Sequence, residues 1–109
     1  MNLSGYRAVW IFAMFDLPVN TPRARRQYTE FRKSLLRDGF TMVQYSIYVR
    51  HCASEENAQV HYNRVRNFLP PEGDVRLLKI TDKQFGRMEI FWGKTRKPIP
   101  HPPQQLELF

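Results

Sequence analysis

The stretch that most constrains the fold is Val9 to Pro18, Val-Trp-Ile-Phe-Ala-Met-Phe-Asp-Leu-Pro. It is an apolar run without strict alternation, rich in Val, Ile, Phe and Trp. That composition suits a central strand packed on one face and covered on the other. The run ends at a single acid, Asp16, and Pro18 stops it. Arg7 is the one basic side chain in the residues ahead of that acid. A carboxylate at the exit of a buried strand is either a turn former or a working group, and the pattern alone leaves both open.

The rest of the chain alternates helical and strand periodicities. Asn20-Thr21-Pro22 is a helix start, with Thr21 as N-cap and Pro22 at the first helical position. Ala24, Tyr28, Phe31 and Leu35 form one apolar stripe, and Gly39 is the expected stop. Phe40 to Cys52 is β-branched and aromatic and too long for an ordinary strand. It is therefore expected to bend, or to divide into two strands near Gln44–Ser46. Ser54-Glu55-Glu56 opens a second helix with core stripe Ala58, Tyr62, Val65 and Leu69, ended by Pro70-Pro71. Val75–Thr81 reads as a strand, Asp82–Met88 as a polar connection or short helical turn, and Glu89–Trp92 as a last short strand.

This order predicts an α+β fold, a ferredoxin-like βαββαβ sandwich with an extra C-terminal strand and both helices on one face of an antiparallel sheet. The other sheet face then needs a cover. With Trp10, Phe12, Tyr48 and Trp92 available, a homodimer packed through the sheets is the economical one. The expected division is a ferredoxin-like domain over 1–95 and a tail over 96–109. In the tail Lys97-Pro98-Ile99-Pro100-His101-Pro102-Pro103 reads as extended polyproline-like chain unable to join a sheet.

Charge narrows the function. The chain of 109 residues carries a formal +7, and residues 21–50 alone hold seven basic and two acidic side chains. On the first helix Arg26, Lys33 and Arg37 fall opposite the core stripe, and Arg25 and Arg32 flank it. With Arg23 these make six basic groups against Glu30, five of them arginines, whose planar fork suits phosphate. The bland reading is a solvated helix face. The functional one is a salt-sensitive, sequence-tolerant grip on a nucleic-acid backbone.

Cys52 is the sole cysteine, so an intramolecular disulfide and a cysteine metal cluster are excluded. Its solitude and the absence of a cleavable leader pattern suggest a soluble cytoplasmic protein. His51, His61 and His101 show no metal-ligand spacing. If Asp16 binds Mg²⁺, one carboxylate is a poor site for an ion that prefers octahedral oxygen ligands. A twofold dimer joined near the first strands would supply a second Asp16, and such a pair could activate water against a phosphodiester.

Taken together, FAMFDLP, the basic helix ending LLRDGF, QYSIYVRH and KITDKQFGRM resemble the small CRISPR-associated Cas-two family, most of all the members that accompany type II systems. The resemblance covers about residues 6–93. It implies a ferredoxin-like homodimer whose Asp16 binds a divalent metal such as Mg²⁺ at the interface, within a family of metal-dependent endonucleases acting on RNA or DNA. It also implies a role in spacer acquisition, where the dimer bridges two dimers of the Cas-one integrase along double-stranded prespacer DNA. Arg23, Arg25, Arg26, Arg32, Lys33 and Arg37 then become candidates for duplex contact.

The tail matches the family's variable C-terminal extensions, which dock the integrase. Independently of the family, Gln105, Leu106, Leu108 and Phe109 resemble the Gln-Leu-x-Leu-Phe motif by which bacterial proteins bind the replication sliding clamp. The tail folding back on its own dimer is the plain alternative. Three functions follow: a DNA-bridging adaptation subunit, which a lone acid per subunit without an evident general base favours; a metal-dependent endonuclease using paired Asp16; and a ferredoxin-like RNA-binding module unrelated to CRISPR.

Overall fold

A computed structural model describes residues 7–97. Strand β1 (Val9–Asp16) is followed by helix α1 (Pro22–Arg37), strands β2 (Thr41–Gln44) and β3 (Ile47–Cys52), and helix α2 (Glu55–Asn67). Strand β4 (Asp74–Thr81), the short helix α3 (Asp82–Gly86) and strands β5 (Ile90–Trp92) and β6 (Thr95–Lys97) complete it. The main sheet has the order β2-β3-β1-β4, with antiparallel neighbours throughout. This is the ferredoxin-like α+β arrangement, with the apolar β1 at its centre.

Alternation along β1 divides the core in two. Val9, Ile11, Ala13 and Phe15 point to the helix side, where they meet Phe31 and Leu35 of α1 and Ala58 and Val65 of α2. The helices form where their caps dictate: the Thr21 hydroxyl accepts the Ala24 N–H at 3.0 Å, and the Ser54 hydroxyl accepts that of Asn57 at 3.0 Å. One polar clamp locks them together. Asp38, at the end of α1, takes His61 Nδ1 at 2.9 Å and Arg64 Nη1 at 3.0 Å from α2, and its carbonyl accepts Arg50 Nε at 2.8 Å from β3. His61 is thus a satisfied buried histidine one position off the expected stripe. Leu69, assigned to that stripe, lies beyond the end of α2 and is exposed.

Trp10, Phe12, Met14 and Asp16 point to the other sheet face. There Trp10 stacks on Phe85 of α3 at 3.7 Å and donates its indole N–H to Asp82 at 2.7 Å. The four aromatics expected on this face therefore part company. Trp10 is buried by α3. Tyr48 points to the helices and packs on Phe15, because β3 alternates in register with β1. Trp92 leaves the sheet altogether on the β5–β6 hairpin. Phe12 stays half-buried beside its cross-strand neighbour Leu78, which is 47% exposed.

The long aromatic segment does divide, at Tyr45-Ser46. Thr95, Arg96 and Lys97 pair with β5, so Lys97 belongs to a strand and not to the polyproline-like stretch expected there. These three residues precede Pro98 and are not prolines themselves, so they keep their N–H donors. No helix among the described residues is long and apolar enough to cross a membrane.

Candidate metal and nucleic-acid site

β1 delivers Asp16 to an exposed position on the sheet face away from the helices. The antiparallel register sets Asp74, the first residue of β4, directly across from it. Paired side chains there stand about 5 Å apart at Cβ. The preceding turn makes this possible. Gly73 has φ +99, and a Cβ on it would sit 2.8 Å from the Asp16 carbonyl and 2.6 Å from Leu17 Cδ2, so only glycine lets the chain pass so close. Arg76 Nε donates to Asp74 Oδ1 at 3.1 Å, and that carboxylate raises the pKa of the guanidinium above its ordinary value.

Asp16 and Asp74 open onto a cleft of about 440 Å³ whose walls include Arg76, Met14, Ser46 and Tyr45. Ser46 has a positive φ of 61. Its carbonyl accepts the Phe15 N–H at 3.0 Å, tying the β2–β3 turn to the strand end just before Asp16. Tyr45, 77% exposed, lies near-parallel to Tyr28 at 6.3 Å. Tyr28 raises the pKa of the Tyr45 phenol, first by side-chain hydrogen bonding and then by charge, which favours the neutral form.

Carboxylate oxygens are the right donors for a hard cation. One chain contributes two carboxylates here, and Asp74 is shared with Arg76. Among the described residues no three His, Cys, Asp or Glu side chains come together. Asp74 and Arg76 do not stand out in the sequence, where Pro71-Glu72-Gly73-Asp74 has the pattern of a plain turn. The signal that finds them is the pairing register: aligning VRLLKIT antiparallel to the β1 run places 74 against 16.

The six basic residues of α1 do not form one patch. Arg25, Arg26 and Lys33 share a shallow hollow with Pro22, Thr29 and Glu30. Arg23 turns toward Asn20, Gln27 and Glu72 instead. Arg37 is paired with Glu30 at 3.2 Å, and Arg32 is half-buried. Arg25 also donates to the Val19 carbonyl at 3.0 Å. The tail residues Gln105, Leu106, Leu108 and Phe109 lie outside the described residues.

Fold and site together define a small ferredoxin-like domain with an acid pair at the exit of its central strand and a basic first helix. The family model for "CRISPR associated protein Cas2" matches residues 9–88, and the chain belongs to that family. It is 57% identical over 101 residues to the CRISPR-associated endoribonuclease Cas2 of Parvibaculum lavamentivorans, covering 93% of this chain and all of that protein. The protein of the same name from Flavobacterium psychrophilum is 55% identical over 108 residues, covering 99% of this chain and 94% of the relative. That of Paracidovorax avenae is 42% identical over 107 residues, covering 98% of this chain and 99% of the relative.

Proposed function

We propose that a homodimer of this chain is the bridging subunit of CRISPR spacer acquisition, set between two dimers of the Cas-one integrase and gripping the backbone of prespacer DNA. The observation that carries the reading is the placement of α1 on the sheet face opposite Phe12 and Leu78. A dimer closed through the apolar outer faces turns both first helices outward. It thereby presents two copies of the Arg25, Arg26 and Lys33 hollow on its flanks, as a bridge along a duplex requires. Family membership sets aside the unrelated RNA-binding module.

The Asp16 cleft favours a second, compatible activity: cleavage of phosphodiesters with a divalent metal, in keeping with the endoribonuclease activity that the relatives' names carry. Asp16 and its dimer mate would hold Mg²⁺, with Asp74 as a further oxygen donor. Bound there, the ion would supply an acidified water and charge neutralisation. Arg76 orients Asp74 and adds a cationic group to the cleft wall.

Asp16→Ala separates the two roles. Integration of a labelled prespacer by the reconstituted complex should continue near the wild-type rate while metal-dependent cleavage of RNA or DNA by the dimer vanishes. Loss of integration would overturn the bridge reading, and undiminished cleavage would overturn Asp16 as the metal site.

A further inference from the structure

Tyr45 is the side chain of the Asp16 cleft that the fold does not need. Its ring leaves 77% of the residue's surface in water, so it shields little of the core. Yet the turn that carries it is held on three counts. Ser46 occupies the left-handed region at φ 61, which L-residues rarely adopt. The Ser46 carbonyl is bonded to the Phe15 N–H, and its hydroxyl lies 3.4 Å from the Tyr28 phenol. Tyr28 in turn lies near-parallel to the Tyr45 ring at 6.3 Å and packs edge-on against Phe15 at 5.9 Å. The result is an aromatic ring on a tethered turn, flanked by Tyr28 and largely open to solvent in the wall of the cleft that holds Asp16 and Arg76.

We propose that Tyr45 is the platform on which one unpaired nucleobase stacks when nucleic acid occupies the Asp16 cleft. The inference rests on the cleavage reading above, in that nucleic acid must enter the cleft. A free base offers a π-face to such a ring whatever its identity, so the platform tolerates sequence. A base inside a duplex has both faces covered by its neighbours and cannot take the position. The cleft of about 440 Å³ has room for a single nucleotide, and Arg76 in its wall offers a cation to the phosphate. Tyr45 thereby selects unpaired over paired strands, while the basic face of α1 binds either.

The test is equilibrium binding by fluorescence anisotropy in a chelating buffer, using an oligoadenylate strand alone and the same strand annealed to oligouridylate. Tyr45→Ala should weaken binding of the single strand about 5- to 150-fold, which is what about 1–3 kcal/mol of stacking converts to. Duplex binding should hold within about twofold, since no base stacks there. Tyr45→Phe and Tyr45→Trp should keep the single-strand affinity, because they keep the ring. An equal loss on strand and duplex, no loss on the strand, or Tyr45→Phe behaving like Tyr45→Ala would overturn the platform. Cleavage by Asp16→Ala tells the two failures apart. Intact cleavage there overturns the Asp16 reading, whereas lost cleavage with unselective Tyr45→Ala binding overturns the platform alone.

Discussion

Like charges directly opposite on neighbouring strands destabilise a sheet, so the Asp16–Asp74 pair needs a reason and a counterion. Arg76 supplies the counterion for Asp74, and a divalent ion at Asp16 would supply the other. Asp16 is legible in the sequence because it interrupts an apolar run. Asp74 is not, because what makes it a neighbour is strand register across a long sequence separation. Cys52 shows the same limit. Composition reveals one thiol, and the fold buries it completely against the helices. Burial raises its pKa, with the Arg50 guanidinium pulling partly the other way. The native state therefore holds the thiol proton to higher pH than the unfolded chain does. Its contribution to stability is full below the unfolded thiol's pKa of about 8.5 and shrinks as pH rises above that. Denaturant titrations of wild type and Cys52→Ala between about pH 8 and 10 bracket that window. They should show the wild type losing more stability, and parallel curves would contradict it. The same burial should leave Cys52 unmodified by a thiol reagent until the protein unfolds.

At the level of elements, local signals sufficed where the physics is local. Thr21 and Ser54 cap their helices as expected, and the Phe40–Cys52 segment breaks at the turn. Helix α1 is legible as basic, but which of its basic side chains share one hollow is not, since that depends on rotamers and neighbours. Glu30 takes Arg37, while Arg25, Arg26 and Lys33 surround the same hollow. The exposed Arg37–Glu30 pair adds little stability, but it does lower the net charge available to a phosphate. The expected consequence is a salt dependence carried by three residues. The slope of log K against log salt for duplex DNA should fall in magnitude by about 0.9 for each phosphate no longer neutralised. The Arg25, Arg26 and Lys33 triple alanine variant should therefore show a slope smaller by about 2.7 if each side chain meets one phosphate. Arg37→Ala should change the slope less than any of the three singly. A triple variant with the wild-type slope would place the DNA on another surface.

For the whole molecule, what matters is the sheet face the helices leave open. Helix α3 covers its Trp10 end, where Phe85, Ile80 and Met88 close the second core. Between that end and the Asp16 cleft, Phe12 remains only half-buried and Leu78 is 47% exposed. An isologous twofold contact would bury this strip against its own copy, since each sheet presents the same residues to the other. Packed sheets approach to about 10 Å. An axis running alongside β1 would keep the two first strands parallel and bring the acid-bearing strand exits to one edge of the interface, where one ion could reach both. Leu78→Lys tests this without touching the core, because the side chain is already half in solvent and its cross-strand partner Phe12 keeps its packing on Phe85. The substitution would force a charged ammonium from each copy into an apolar contact, which is costly to desolvate. Sedimentation equilibrium should show the wild type as a dimer and the variant as a monomer, with unchanged far-ultraviolet circular dichroism. Metal-dependent cleavage should fall with the dimer although Asp16 is intact in every chain. A Leu78→Lys protein that remains dimeric would move the interface elsewhere. A monomer that still cleaves would show that one chain's Asp16 and Asp74 suffice.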